Sequence, residues 1–230
     1  MYTGLMIGLI VVGTALSSVA AWALAVLRLG RVSGTVLALV VGSTVALMYQ
    51  LVFRPWHLRW GATDAELIRP MPGDELLPGA ESCTRAITIE APPEASWPWL
   101  LQLGYGRAGW YSYDWIDTDF TPSATRIEPE LQQLEVGDRI LMMPSMGFEG
   151  LAVDAPRAIV SMLEDDSTSW CLALYPEGDG TTRLVSRWRP RSERSVAAFL
   201  MNLLVEPGTF VMEQKMLRTI RDRAEGTNRA

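Results

Sequence analysis

The first quarter of this 230-residue chain lacks acidic residues altogether, since the first one is Asp64. Basic residues are nearly as scarce there: Arg28, Arg31, Arg54 and Arg59 are the only ones before it. A cleaved secretory signal would open on a basic region ahead of a shorter apolar run, and neither feature is present. A buried core hairpin of a soluble protein rarely goes so long without charge. Tyr2 stands where N-myristoylation needs glycine, so that form of lipidation is not indicated. Histidine and cysteine are also nearly missing, with one of the former, His57, and two of the latter, Cys83 and Cys171. The part after the first quarter therefore has no zinc-ligand set, no disulfide framework and no Ser-His-Asp triad. No cofactor or metal is expected.

What the first quarter does have is two long apolar runs. Residues 1–27 and 32–53 carry no charged side chain. A bilayer core roughly 30 Å thick takes about 20 apolar residues in helical form, and both runs are long enough. Backbone polar groups in lipid must be satisfied within the segment, which leaves helix as the conformation. The link Arg28-Leu29-Gly30-Arg31 then makes an antiparallel hairpin, residues 1–60, with both ends on one side of the bilayer. Small residues recur every four positions: Gly13, Ser17, Ala21 and Ala25 in the first run, Gly34, Ala38, Gly42 and Ala46 in the second. Such stripes let backbones approach closely in lipid, either between the two spans or, through Gly4-xxx-Gly8, between two copies in a homodimer. Arg54, Arg59 and Arg69 after the second run outnumber the arginines of the turn, which leans toward a cytoplasmic soluble domain at the cell membrane. Trp56 and Trp60, beside His57, read as an interfacial anchor with the imidazole at headgroup level.

Beyond residue 60 the chain holds 16 basic and 26 acidic residues, a balance of −10 that argues against a nucleic-acid-binding surface. Arg183, Arg187, Arg189, Arg191 and Arg194 form the one basic group, expected as an exposed strand face. Residues 61–82, rich in Pro and Gly with interspersed acids, read as a linker or as a strap lying on the domain. Residues 83–230 suffice for one domain with its own core. Ile87 and Ile89 alternate with Thr88 and Glu90, which predicts a strand. Pro92-Pro93 opens a helix reaching about residue 103, with Pro98 inside it. Gly104-Tyr-Gly106-Arg-Ala-Gly109 matches GxGxxG but follows a helix, so a dinucleotide site is not expected, and Gly104 reads as a helix C-cap. Strands are predicted at 139–143, 149–153, 157–163, 169–175 and 181–189, the last two joined by a turn at Glu177-Gly-Asp-Gly180. Two helices follow, 193–205 and 209–224, split at Pro207-Gly208.

The stretches Ala91-Pro-Pro-Glu94 to Trp97-Pro-Trp99-Leu100, Gly109-Trp-Tyr-Ser-Tyr-Asp114 and Glu206-Pro-Gly-Thr-Phe-Val-Met-Glu213 resemble membrane-anchored bacterial members of the START/polyketide-cyclase-like (SRPBCC) superfamily. The resemblance covers roughly residues 60–225. It implies an α+β helix-grip fold, a curved antiparallel sheet around a long C-terminal helix and an apolar cavity. Members include lipid carriers, hormone receptors and aromatic cyclases, so the resemblance does not settle function.

On the last helix, Phe210, Met216, Leu217, Ile220 and Ala224 share one arc, with Glu213 in its middle. A carboxylate there needs a partner, because an isolated buried charge is very costly. It is either a polar handle or acid/base group for a ligand, or half of an ion pair with a sheet arginine such as Arg139 or Arg187. Trp110, Tyr113 and Asp114 could line the cavity mouth, or fill core with Asp114 capping a turn. Met142, Met143, Met212 and Met216 suit an adaptable apolar pocket or an ordinary core. Candidate ligand-binding residues are thus Glu213, Tyr113, Asp114, Trp110, Arg187 and Met216. The leading expectation is a membrane-tethered domain binding a hydrophobic small molecule or lipid. Two alternatives stand beside it: a cyclase- or hydrolase-type enzyme using Glu213 with Tyr113 and Asp114, and a structural or interaction protein with a filled core.

Overall fold

The computed structural model describes residues 17–178, 180–191 and 195–226. Helix α1 (Ser17–Leu29) turns at Gly30 into one long helix, Arg31–Leu58, built of α2 (Arg31–Met48), a π-helical turn (Tyr49–Phe53) and α3 (Arg54–Leu58). The two helices touch at Gly34, where a Cβ would lie 2.5 Å from the Val26 backbone nitrogen, so only glycine permits that approach. Trp22 Nε1 adds a hydrogen bond to Thr35 Oγ1 at 3.2 Å. The rest of the small-residue stripe does less, since nothing lies within 4 Å of a Cβ built at Gly42. Gly4, Gly8 and Gly13 fall outside the described residues. Among the described helices, Arg31–Leu58 is long and apolar enough to cross a membrane, with a mean hydropathy of 2.1 and none of its most apolar window buried.

Six strands form one antiparallel sheet in the order β1-β6-β5-β4-β3-β2: β1 (Cys83–Ile89), β2 (Arg139–Met143), β3 (Met146–Asp154), β4 (Ala158–Leu163), β5 (Thr168–Pro176) and β6 (Thr182–Pro190). Alternation assigns the faces. Trp170, Leu172 and Leu174 of β5 join the inner core with Ile159, Leu184 and Ile89, whereas Cys171 and Ala173 join Ala158, Val160 and Val185 on the other face. The inner face is covered by α5 (Pro93–Leu101), α6 (Asp114–Asp117) with its flanking loops, and the 29-residue α7 (Val196–Ala224). A six-stranded antiparallel sheet with a long C-terminal helix on one face fits the helix-grip fold.

α7 corrects the expected break at Pro207. A proline in a helix interior costs about 3 kcal/mol through its missing donor and ring clash. Phe210, Met216, Leu217 and Ile220 are each no more than 4% exposed, and each such burial stabilises by about 1.5–3 kcal/mol. Packing therefore exceeds the local penalty, and the helix runs through.

Two further expectations change, those for the arginines and for Gly104. The segment between α3 and β1 is a strap, and it folds: α4 (Asp64–Ile68) carries a full capping box from Thr63 and Glu66, and Met71 is buried against the outer face. Beneath it lie three of the five arginines expected to be exposed; Arg191 is exposed, and Arg194 falls outside the described residues. Arg183 pairs with Glu66 at 2.9 Å, Arg187 with Asp74 at 2.8 Å, and Arg189 with Asp74 at 3.4 Å. Arg187 also donates to the carbonyls of Arg69 and Glu66 at 2.9 and 2.6 Å. Gly104 is not a helix cap: at φ +131° it forms a two-way bridge with Gly109, both bonds 3.1 Å.

Candidate functional site

The inner face of β1 presents Cys83, Arg85, Ile87 and Ile89 to the helices. Antiparallel register sets Cys83 opposite Trp188 and Arg85 opposite Ser186. α7 lowers Glu213 between these strands. Arg85 Nη1 donates to Glu213 Oε2 in a tight ion pair, and Ser186 Oγ donates to Oε1 at 2.5 Å. Arg85 and Glu213 are only 3% and 7% exposed. Burial works against the Arg85 charge, but the Glu213 carboxylate more than offsets it, and the arginine pKa is raised. The partner of Glu213 is thus Arg85 and not Arg139, which pairs with Glu164, or Arg187, which faces the strap.

Beside this pair stand the aromatic residues. Trp170 Nε1 donates to Ser186 Oγ at 2.9 Å, and the Trp170 ring stacks on Trp188 with centroids 4.6 Å apart and planes 19° from parallel. Phe148 meets Trp170 at 5.4 Å and Trp188 at 5.5 Å, and Trp110 meets Trp170 at 5.7 Å. The middle of the grip is filled with rings where an open cavity was expected. The two concavities that stand out among the described residues lie elsewhere. One of about 700 Å³ is at the far end of the sheet, between Pro72, Arg157 and Tyr175, and one of about 370 Å³ runs along Val45, Met48, Val52 and Trp56. Trp188 Nε1 is nevertheless buried with no acceptor. A donor left unsatisfied in this way costs about 1–3 kcal/mol. Cys83, across from Trp188, is a free thiol that burial pushes up to about 12.

Of the expected site residues, Glu213, Trp110 and Met216 meet in the inner core. Arg187 lies on the opposite face of the sheet. Tyr113 packs its ring 4.1 Å from Lys215 Nζ. Lys215 is two residues and therefore about 200° around the helix from Glu213, so the tyrosine and the acid address different faces of α7. Asp114 Oδ1 accepts a 2.6 Å bond from Ser123, a turn-stabilising role. Sequence reasoning overlooked Arg85, although its position two and four residues before Ile87 and Ile89 already marked it as inward-facing.

The long N-terminal helix reaches this site as well. His57 is fully buried against the domain and is not exposed as an interfacial anchor would be. Its carbonyl accepts from Arg85 Nε at 2.8 Å, its Nδ1 lies 3.4 Å from Arg85 Nη2, and its Nε2 lies 3.2 Å from the Tyr49 hydroxyl. Tyr49 donates to Glu206 of α7 at 2.9 Å, and Arg54 Nε donates to the same carboxylate at 2.9 Å. Phe53, Trp56, His57 and Trp60 surround the Phe210 ring at 5.3–6.3 Å. Adjacency to two interfacial-looking tryptophans hid this role of His57 in the sequence.

No protein-family model matches this sequence, and no curated protein matches it either. Solved structures do overlap it. A protein of Mesorhizobium loti is 15% identical over 64% of this chain and 99% of its own, with a TM-score of 0.38. A Polyketide_cyc-like protein of Corynebacterium glutamicum is 13% identical, covering 67% and 99% of the two chains at 0.34. One from Nitrosomonas europaea is 11% identical, covering 69% and 100% at 0.40. No residue role passes from these proteins to this chain.

Proposed function

We propose that this chain is a membrane-tethered helix-grip domain that binds a hydrophobic small molecule or lipid against the Trp110–Trp170–Trp188 face. The observation that carries the reading is the buried, acceptor-less Trp188 N–H at the edge of an aromatic interior. A ligand oxygen would satisfy that donor, while the ligand body replaced ring-on-ring contacts with its own. Arg85 and Glu213 neutralise each other, so the site favours an uncharged ligand. The catalytic alternative gains no support from the geometry, because Glu213 does not converge with Tyr113 or Asp114.

The tether is residues 1–60 as two spans, with residues 61–82 as the strap and 83–230 as the grip. It is supported by the apolar helix Arg31–Leu58, whose most apolar window is unburied, and by α1 folding back along it at Gly34. Holding the grip beside a bilayer raises the effective concentration of membrane-dissolved ligands. Arginine counts favour a cytoplasmic grip. Single cysteines at Thr3 and Asp64 should be labelled from the same, cytoplasmic, compartment; labelling from opposite sides would end the hairpin reading.

The test of binding is native mass spectrometry of the full chain released from nanodiscs containing brominated monoacylglycerol, whose isotope pattern marks it. One bound copy is expected, and Trp188→Phe, which keeps the ring and removes the donor, should weaken retention about fivefold for one lost hydrogen bond of about 1 kcal/mol. Absence of any retained hydrophobic molecule would instead favour an interior filled by its own side chains, the reading that the packed Trp170, Trp188 and Phe148 rings support.

A further inference from the structure

An unbroken series of polar contacts leads from the apolar N-terminal helix to the centre of the grip. It begins at Tyr49, whose hydroxyl donates to Glu206 of α7 at 2.9 Å and lies 3.2 Å from His57 Nε2, and it continues from both His57 Nδ1 and its carbonyl to Arg85. Arg85 then holds Glu213, Glu213 holds Ser186, and Ser186 accepts from the Trp170 indole at 2.9 Å. The far end is the aromatic face assigned above to ligand.

The π-helical turn is what lets this series form. In a regular α-helix Tyr49 and His57, eight residues apart, would point about 80° apart at 100° per residue. Widening one turn to i→i+5 bonding over Tyr49–Phe53 absorbs a residue without advancing the helix. The two side chains then relate as i and i+7, within about 20° of one face. A π turn is a costly local choice that tends to persist at functional positions. Here its structural product is the Tyr49–His57 contact.

We infer that Tyr49 and His57 are positioning residues of the ligand face, so that the N-terminal helix is part of the binding unit as well as its anchor. Arg85 has a long, rotamer-rich side chain, and two residues hold it: Glu213 at Nη1, and His57 at Nε and Nη2. Losing the imidazole contact leaves the bond to the His57 carbonyl but opens the Nη2 side of the guanidinium, which can then tilt about Nε. The Glu213 carboxylate moves with it, the Ser186 hydroxyl that donates to it turns, and the Trp170 indole that donates to the same hydroxyl shifts its plane against Trp188. This inference rests on the proposed binding at that face.

The experiment uses the full chain in nanodiscs and reads two quantities. One is the far-ultraviolet exciton couplet of the stacked indoles, assigned by its loss in Trp170→Phe; the other is retention of brominated monoacylglycerol. Tyr49→Phe and His57→Leu should each reduce the couplet and weaken retention about fivefold, equivalent to about one net hydrogen bond. His57→Asn, which restores an acceptor toward Arg85, should recover the couplet. An unchanged couplet and unchanged retention in both Tyr49→Phe and His57→Leu would overturn the inference while leaving the binding proposal intact. So would a couplet that falls only in step with thermal stability, with no recovery in His57→Asn. A couplet reduced in both variants and recovered in His57→Asn, with no probe retained even by the wild type, would sink the binding proposal and leave the positioning role standing.

Discussion

Glu213→Gln is the most informative single substitution in this chain, since it keeps shape and removes one charge from a closed pair. Arg85 and Glu213 are 3% and 7% exposed, so neither charge has solvent to fall back on. Removing one partner of such a pair typically costs 3–5 kcal/mol, because the other charge is stranded in a poorly polarisable interior. Two features place this case at the lower end. Glutamine retains an oxygen to accept from Ser186, and Arg85 keeps its 2.8 Å bond to the His57 carbonyl. The expected loss is about 3 kcal/mol. For a domain of this size 1 kcal/mol corresponds to about 2–4 °C, so the melting temperature should fall by about 6–12 °C. Thermal unfolding followed by near-ultraviolet CD in detergent would measure it. The double variant Arg85→Met/Glu213→Met should recover much of the loss, since buried ion pairs often give way to apolar residues of similar volume at little cost. A Glu213→Gln protein within about 1 kcal/mol of wild type would show that the pair is not closed to water, and the burial argument would fall.

Three other outcomes are expected. Burial pushes the Asp117 carboxyl up to about 6 from 3.8, a folded-state pKa above the unfolded one; its contribution is full below 3.8 and lost as pH rises through 6. Asp117→Asn should therefore stabilise the fold by about 2 kcal/mol at pH 7.5 and hardly at all at pH 4, as chemical denaturation at the two pH values would show. Asp74→Asn removes the carboxylate shared by Arg187 and Arg189; it should cost about 3 kcal/mol and speed proteolysis of the strap, and equal cleavage rates would mean that the Arg183–Glu66 pair, the Arg187 carbonyl bonds and Met71 burial suffice to hold it. Cys83 and Cys171, both pushed up to about 12 by burial, should resist maleimide at neutral pH in the folded chain and both react once it is denatured.

Periodicity made the sheet legible, because an inward Trp170-Leu172-Leu174 row can be read without knowing what covers it. It could not say what lay on the other side. The alternation that sent Arg183, Arg187 and Arg189 outward was right about direction and wrong about exposure, since the strap, residues 61–82, returns over that face. The clue was present in the charges: Glu66 and Asp74 of the strap are the carboxylates those arginines need. The Pro207 break was over-weighted because a proline is a local cost of fixed size, whereas the burial opposing it depends on elements 100 residues upstream.

The same asymmetry accounts for the site. Glu213 was legible because helical periodicity is local, and its surroundings on α7 predict burial without any tertiary knowledge. Its partner required knowing that β1 lies beneath α7 and that the inward face of β1 begins with Cys83 and Arg85. The involvement of His57 required more, since it depends on the N-terminal helix crossing to the β1 edge of the sheet and on a π turn that no residue preference announces. Each missing link joins segments far apart in the chain: Tyr49 with Glu206 over 157 positions, Arg85 with Glu213 over 128. Polar partners of this kind are selected by the fold after the apolar pattern has built it. For this chain that ordering places the apolar helix and the grip in one buried network, and cutting the N-terminal helix away to obtain a soluble domain would strand Arg85, Glu206 and the lower half of α7 together.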